Sequence, residues 1–171
     1  MDVNQVAPFS ISRVLNAPRA LVFKVQTDPA HLEQRFSPAG FKTIHAELDF
    51  RVGGTYHYGL EGPGGMRMWG LQKFLEIVPD ERIVLIQSFS NEHRALTRHP
   101  MAPDWPLEML ATTTFEDAGA GKTLLTISWR PHNSDEAGRM AFENGRAGMQ
   151  GGFSGTLAKL EAYLESLQNR G

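Results

Sequence analysis

A stripe of large apolar residues near the end of the chain constrains the fold more than any other sequence feature. Phe153, Leu157, Leu160, Leu164 and Leu167 recur at spacings of four and three, which predicts one apolar face of an α-helix. Charged residues occupy positions between them. Such a helix must bury its apolar face against another element, so the preceding chain has to supply a matching surface.

The preceding chain predicts an antiparallel sheet. Alternating apolar and polar residues, separated by turn-forming residues, indicate seven strands. Connections such as Gly53-Gly54 and Pro79-Asp80 have the length of β-hairpin turns and therefore favour antiparallel pairing. The predicted strands are 9–15, 41–50, 55–60, 66–78, 82–90, 107–116 and 123–130.

Two short helices are predicted between the first two strands. Pro18 suits the first turn of a helix over 19–26, and Asp28 suits the N-cap of a helix over 28–35. The last helix is predicted from a cap at Ser134 through the apolar stripe. The predicted fold is therefore α+β, a helix-grip in which a curved sheet of about seven strands surrounds a long C-terminal helix. Because a twisted sheet around one helix seldom closes its interior, we expect a cavity between them.

Composition narrows the function classes. The 171 residues suit one domain, 1–171, with a core over about 8–167. The absence of cysteine excludes disulfides, thiolate metal sites and cysteine nucleophiles, and fits the cytoplasm. A net charge of −2 without a basic tract argues against nucleic acid as a partner. The sequence has no apolar run of about 20 residues, which argues against a membrane span, and no secretory signal at its start.

Several short motifs, in this order, resemble a known group of proteins. They are Arg13 with Ala17-Pro18, Thr27-Asp28-Pro29, Glu47-x-Asp49-x-Arg51-x-Gly53-Gly54, Glu76-Ile77-Val78-Pro79 and Gly151-Gly152-Phe153. Together they are similar to the START-like (SRPBCC, helix-grip) superfamily and, within it, to homologues of the activator of heat-shock-protein-90 ATPase. The resemblance implies a lipid-, aromatic- or polyketide-like ligand. It also implies three alternatives for function, since relatives include cyclases and hydratases, co-chaperones linked to stress responses, and proteins without known activity.

One departure from the family pattern concerns the ligand. Many relatives carry paired tryptophan after the second helix, where this chain has Arg35-Phe36. If this position lines the cavity mouth, we expect a different ligand, with a negatively charged group as one option.

The candidate ligand-binding residues follow from strand alternation and from the flanks of the last helix, except Phe36, which follows from the resemblance to the family pattern after the second helix. Ordinary core packing is the alternative for each of them. The candidates are Phe36, Trp69, Phe89, Met109, Trp129, Phe142, Met149 and Phe153, with Arg35, Arg94 and Arg98 as polar groups at the cavity mouth.

A glycine cluster interrupts the last helix. Gly145, Gly148, Gly151, Gly152 and Gly155 each cost a helix about 0.5–1 kcal/mol relative to alanine. Either the helix breaks here, or the missing side chains leave room for close backbone approach or for a ligand. Both alternatives put the cavity opening beside this part of the helix.

The long loop over 91–106 is the second candidate for the mouth of the cavity. Long loops are often lids or binding segments, and a disordered solvent loop is the alternative.

Motifs for catalysis, metals and cofactors are weak. His45 and His57 flank a predicted two- or four-residue turn, which would direct them to opposite faces of the sheet. Gly119 to Thr123 resembles the end of a phosphate-binding loop, but a strand follows it instead of a helix. We therefore expect no metal, no cofactor and no catalytic residue.

The sequence favours a non-enzymatic carrier or sensor of a hydrophobic small molecule. The open alternatives are a cofactor-independent cyclase, lyase or hydrolase that acts in the same cavity, and a protein-interaction module with a chaperone partner. Exposed apolar residues such as Leu124 leave a homodimer through the sheet face as a further option.

Overall fold

Seven antiparallel strands form one curved sheet in the computed structural model, which describes residues 7–28, 31, 40–99 and 102–169. This confirms the predicted sheet. The strands are β1 (Phe9–Leu15), β2 (Lys42–Leu48), β3 (Thr55–Glu61), β4 (Arg67–Val78), β5 (Arg82–Ser90), β6 (Met109–Asp117) and β7 (Thr123–Pro131). Their order across the sheet is β1-β7-β6-β5-β4-β3-β2. The first strand therefore lies beside the last, and β2 to β6 each pair with the strand that follows in the chain.

Three helices and one 3-10 turn complete the described part of the chain. They are α1 (Arg19–Thr27), the 3-10 turn Pro63–Gly65, α2 (Glu136–Asn144) and α3 (Arg146–Gln168). Pro18 is the N-cap of α1, where its missing N–H leaves no donor unsatisfied. The predicted helix over 28–35 lies almost entirely outside the described residues.

The C-terminal helix differs from the prediction at its start. Its first turn is capped by Asp135, whose side chain accepts a 2.8 Å hydrogen bond from the Gly138 N–H, and not by Ser134. The helical segment then breaks at Gly145, which ends α2 and precedes α3. The other four glycines of the cluster lie inside continuous α3, so only Gly145 is located at the break.

The β2–β3 hairpin also departs from the prediction. Leu48 pairs with Tyr56, and the Asp49 N–H donates to the Thr55 carbonyl, so an odd number of residues makes the turn. Residues of the same parity therefore pair across this hairpin. This places the rings of His45 and His57 on the same face, 5.0 Å apart, where opposite faces were expected.

The main core lies between one end of the sheet, α1 and the C-terminal half of α3. Leu157, Leu160 and Leu164 are only 1–2% exposed and pack with buried residues of the sheet and with Val22 and Val25 of α1. The sequence stripe therefore predicted correctly which face of the helix is buried. Toward the other end of the helix, the packing opens into a cavity.

Candidate functional site

A cavity of about 750 Å³ lies between the concave face of the sheet and the N-terminal half of α3. Such a volume is typical of small-molecule binding sites. From the sheet it is lined by residues that include Tyr58, Leu60, Met68, Gln72, Gln87, Phe89, Met109, Thr113 and Trp129. From α3 and from the loop between β5 and β6, it is lined by residues that include His99, Trp105, Pro106, Gly148, Met149, Phe153, Leu157 and Leu160.

The glycines of α3 explain why the cavity opens at this end. Gly148 lines the cavity and is exposed to solvent, and a Cβ added there would have no heavy atom within 4 Å. About two and a half to three turns further along α3, Leu157 and Leu160 fill the corresponding space and close the cavity. The cavity therefore borders solvent at Gly148, within the glycine cluster.

An aromatic wall borders the cavity, with rings from both the sheet and α3. The rings of Trp129 and Phe153 meet edge to face with centroids 5.0 Å apart, and Phe9 stacks on Phe153 at 5.7 Å. Edge-to-face and offset-stacked pairs are favourable aromatic geometries, so this wall is well defined. Of the candidate ligand-binding residues, Trp129, Met149 and Phe153 line the cavity.

The described part of the loop over 91–106 forms a second wall. Leu96 bridges to Ser90 and the Thr97 N–H donates to the Phe89 carbonyl, so the loop first returns along the end of β5. Trp105 then packs over Gly145, where an added Cβ would come within 2.9 Å of the indole. Close approach of this loop thus depends on glycine at the helix break.

Phe142 occupies a different place from the one predicted. It is fully buried, 6.1 Å from the ring of Trp105, in a small cluster with Phe9 and Met109. Phe142 is absent from the described lining, and its ring contacts Trp105 of the loop. Met109 belongs to the same cluster and also borders the cavity.

Trp69 borders the cavity, but its indole ring packs on the outer face of the sheet. It stacks on His57 at 5.3 Å and lies over Gly59, where an added Cβ would meet the ring at 2.7 Å. The cavity-facing side chains of β4 are even-numbered, as Gln72 shows by its hydrogen bond to Gln87 of β5. Alternation within β4 alone could not fix which set of residues faces inward.

The predicted polar groups at the mouth lie elsewhere or outside the described residues. Arg94 forms a 2.9 Å ion pair with Glu47 and donates to the Thr55 hydroxyl. This guanidinium holds the pKa of Glu47 below its usual value. Arg98 is exposed and is not part of the described lining. Arg35 and Phe36 lie outside the described residues.

The polar side chains that do line the cavity were missed by the sequence reasoning. Gln72 donates to Gln87 at 2.8 Å, and Gln87 donates to the Tyr58 hydroxyl at 2.9 Å. Burial raises the pKa of Tyr58, so the phenol stays protonated at neutral pH. Alternation along each strand could have placed these three residues on the cavity side. That prediction requires the pairing register of the strands, which the sequence does not supply.

His99 is the one histidine of the described lining. Its ring lies 4.7 Å from that of Phe89, and burial lowers its pKa. His57, on the outer face, donates from Nε2 to the Asn91 carbonyl at 3.0 Å, and burial lowers its pKa as well.

The described residues contain no group of three or more His, Cys, Asp or Glu side chains placed to hold a metal ion. Their helices include none long and apolar enough to span a membrane.

Comparison with known families gives one match. The sequence model of the family described as "Activator of Hsp90 ATPase homolog 1-like protein" matches residues 16–165. No curated protein matches the chain.

Solved structures share the fold at low identity. A protein from Mycobacterium smegmatis is 22% identical with a TM-score of 0.73, and the alignment covers 96% of each chain. A protein from Rhizobium leguminosarum is 26% identical with a TM-score of 0.66, covering 94% of this chain and 95% of the other. The AHSA1 protein from Silicibacter pomeroyi is 19% identical with a TM-score of 0.67, covering 93% of this chain and 98% of the other.

Proposed function

Because the chain belongs to the family of Activator of Hsp90 ATPase homolog 1-like proteins, we propose that it binds a hydrophobic or aromatic small molecule as a carrier or sensor. The binding site is the cavity between the sheet and α3. The observation that carries the proposal is a 750 Å³ space with aromatic walls at the point where the helix has glycine in place of large side chains.

The composition of the lining favours binding without turnover. Its described residues include no Asp, Glu, Lys or Arg, and His99 and two tyrosines are its titratable groups. General acid–base catalysis needs a positioned group that exchanges a proton near neutral pH. Burial lowers the pKa of His99 and raises that of Tyr58, which moves both away from that range.

A fluorescence titration with N-phenyl-1-naphthylamine tests the proposal. This uncharged dye becomes strongly fluorescent in apolar surroundings, and we expect saturable binding to one site per chain. Native mass spectrometry of the freshly purified protein would then identify any natural ligand that is retained.

A matched pair of variants locates the dye. Gly148→Phe places a ring at the cavity opening, whereas Gly151→Phe places the same ring on an exposed part of α3 that is not in the described lining. We expect Gly148→Phe to weaken dye binding by about tenfold or more, roughly 1.4 kcal/mol, and Gly151→Phe to leave it unchanged. Equal binding by both variants, or no saturable binding to the parent protein, would overturn the proposal.

A further inference from the structure

Three polar side chains form a continuous hydrogen-bonded chain across one wall of the cavity. They come from three neighbouring strands: Tyr58 from β3, Gln72 from β4 and Gln87 from β5. The Gln72 Nε2 donates to the Gln87 Oε1 at 2.8 Å, and the Gln87 Nε2 donates to the Tyr58 hydroxyl at 2.9 Å. Polar groups in an apolar cavity are costly unless they are satisfied, so such a chain needs a reason.

The direction of this chain is fixed by one backbone carbonyl. The Gln87 Nε2 also lies 3.3 Å from the Ser88 carbonyl oxygen, which can only accept a hydrogen bond. The amide nitrogen of Gln87 must therefore face Ser88 and Tyr58, and its oxygen must face Gln72. Gln72 consequently uses one N–H within the chain.

Gln72 retains hydrogen-bonding capacity at the end of the chain. Among the described residues, neither its Oε1 nor its second N–H has a hydrogen-bond partner. The side chain is half-buried and lines the cavity. It can therefore both accept from and donate to a molecule bound there.

A glycine makes room for this arrangement. Gly70 pairs with Tyr58 across the β3–β4 ladder, and a Cβ at Gly70 would lie 2.2 Å from the Tyr58 hydroxyl oxygen. The phenol ring thus crosses β4 at the one residue without a side chain. Any larger residue there would displace the ring and break its bond to Gln87.

The cavity offers no counter-charge to an ion among its described lining residues. The lining includes no Asp, Glu, Lys or Arg, and Arg94 is held outside by its ion pair with Glu47. Removing an unpaired ion from water costs several kcal/mol, whereas a neutral polar group needs only one or two hydrogen bonds.

We propose, on the premise that the cavity binds a small molecule as above, that its ligand is an uncharged ring compound bearing a hydroxyl or amide group that hydrogen-bonds to Gln72. The aromatic wall of Trp129 and Phe153 takes the apolar body of the ligand. Gln72, at the end of the hydrogen-bonded chain, binds the single polar group of the ligand.

Three probes with the same tricyclic body separate charge from hydrogen bonding. They are fluorene, 9-fluorenol and 9-fluorenecarboxylate, each tested at pH 7.5 by displacement of bound N-phenyl-1-naphthylamine. We expect fluorene and fluorenol to displace the dye and the carboxylate to bind at least about tenfold more weakly than fluorenol, because its charge is unpaired in the cavity.

Two variants test the role of Gln72. Gln72→Leu keeps the size of the side chain and should weaken fluorenol binding about three- to tenfold, the range of one hydrogen bond, while leaving fluorene binding unchanged. Unchanged fluorene binding also shows that the cavity is intact. Thr112→Val removes a hydroxyl from a residue of β6 that is not in the described lining, and it should leave the binding of both fluorene and fluorenol unchanged.

The outcomes separate this inference from the proposed function. If neither the dye nor fluorene binds, the proposed function fails. If both bind but the carboxylate binds as tightly as fluorenol, the neutral-ligand inference is overturned. If Gln72→Leu weakens fluorene and fluorenol equally, or neither of them, Gln72 does not recognise the polar group.

Discussion

The two halves of α3 pack against the same sheet with opposite results. In the C-terminal half, Leu157, Leu160 and Leu164 are 1–2% exposed and close the core. In the N-terminal half, Gly148 and Gly155 would have no heavy atom within 4 Å of an added Cβ. The comparison shows that the fold itself does not determine the cavity. Side-chain volume along one helix decides where the sheet is filled and where it stays open.

The open half is maintained at a cost in stability. Four glycines within α3 disfavour the helix by about 0.5–1 kcal/mol each relative to alanine. The helix nevertheless runs without interruption from Arg146 to Gln168, because the leucine half packs into the core. Stability is therefore concentrated in one half of the helix and the candidate binding site in the other.

Emptying the leucine half should have the largest effect. Leu164→Ala removes a buried side chain outside the described cavity lining, and we expect the free energy of unfolding to fall by about 2–5 kcal/mol. Dye binding to the folded variant should be unchanged. Urea denaturation with a parallel titration measures both, and a loss below about 1 kcal/mol would show that the two halves are packed alike.

Filling the helix break should have the next largest effect. Gly145→Ala brings a Cβ within 2.9 Å of Trp105 and 3.2 Å of the Ala141 carbonyl oxygen, so we expect a loss of about 1–3 kcal/mol from overpacking. In the Trp105→Leu background, the same substitution should cost measurably less. Additive effects in this double-mutant cycle would mean that Trp105 is not what requires glycine at position 145.

Sequence patterns predicted the leucine half better than the glycine half. A stripe at spacings of four and three has one physical solution, and the structure confirms it. A glycine cluster has two solutions, and the chain uses both: a break at Gly145 and open space at Gly148. Its sequence could not separate them because the deciding contact, Trp105 over Gly145, joins residues far apart in the chain.

The hydrogen-bonded chain of Tyr58, Gln72 and Gln87 could not be predicted from the sequence for a related reason. Whether Tyr58, Gln72 and Gln87 meet depends on the register of three strands, and an error of one residue moves every side chain to the other face. The same sensitivity explains Trp69, whose ring lies on the outer face, and the unexpected meeting of His45 and His57. Local alternation predicts that a strand exists but not its phase against its neighbours.

Lowering the pH should destabilise the protein through His99 beside the cavity, with a smaller effect than the two substitutions above. Because burial lowers the pKa of His99 in the folded chain, the unfolded chain binds more protons once the pH falls below the ordinary value of 6.5. The free energy of unfolding should therefore fall as the pH drops below about 6.5, and His99→Gln should reduce that fall.

Urea denaturation at pH 7.5 and pH 5.5 measures this pH effect. His93→Gln, which removes an exposed imidazole from the same loop, is the matched control. If the free energy of unfolding falls equally in His99→Gln and in the parent protein, protonation of His99 does not contribute to the loss of stability in acid. Burial also lowers the pKa of His57 on the outer face, so part of the fall should remain in His99→Gln.

The smallest expected effect is a gain, and it tests whether the glycines of α3 serve the cavity. Gly151 is exposed, is not in the described lining and would accept a Cβ without contact, so Gly151→Ala should raise the free energy of unfolding by about 0.5–1 kcal/mol through helix propensity alone. Dye binding should not change.

Gly148→Ala should give a similar gain in stability, since its Cβ also meets no atom, but it adds a methyl group at the opening and should alter dye affinity. If both substitutions stabilise the protein and neither changes binding, the open space beside Gly148 is not used by the bound dye. If only Gly148→Ala changes binding, then the chain retains a destabilising residue there because the site needs the space that a side chain would occupy.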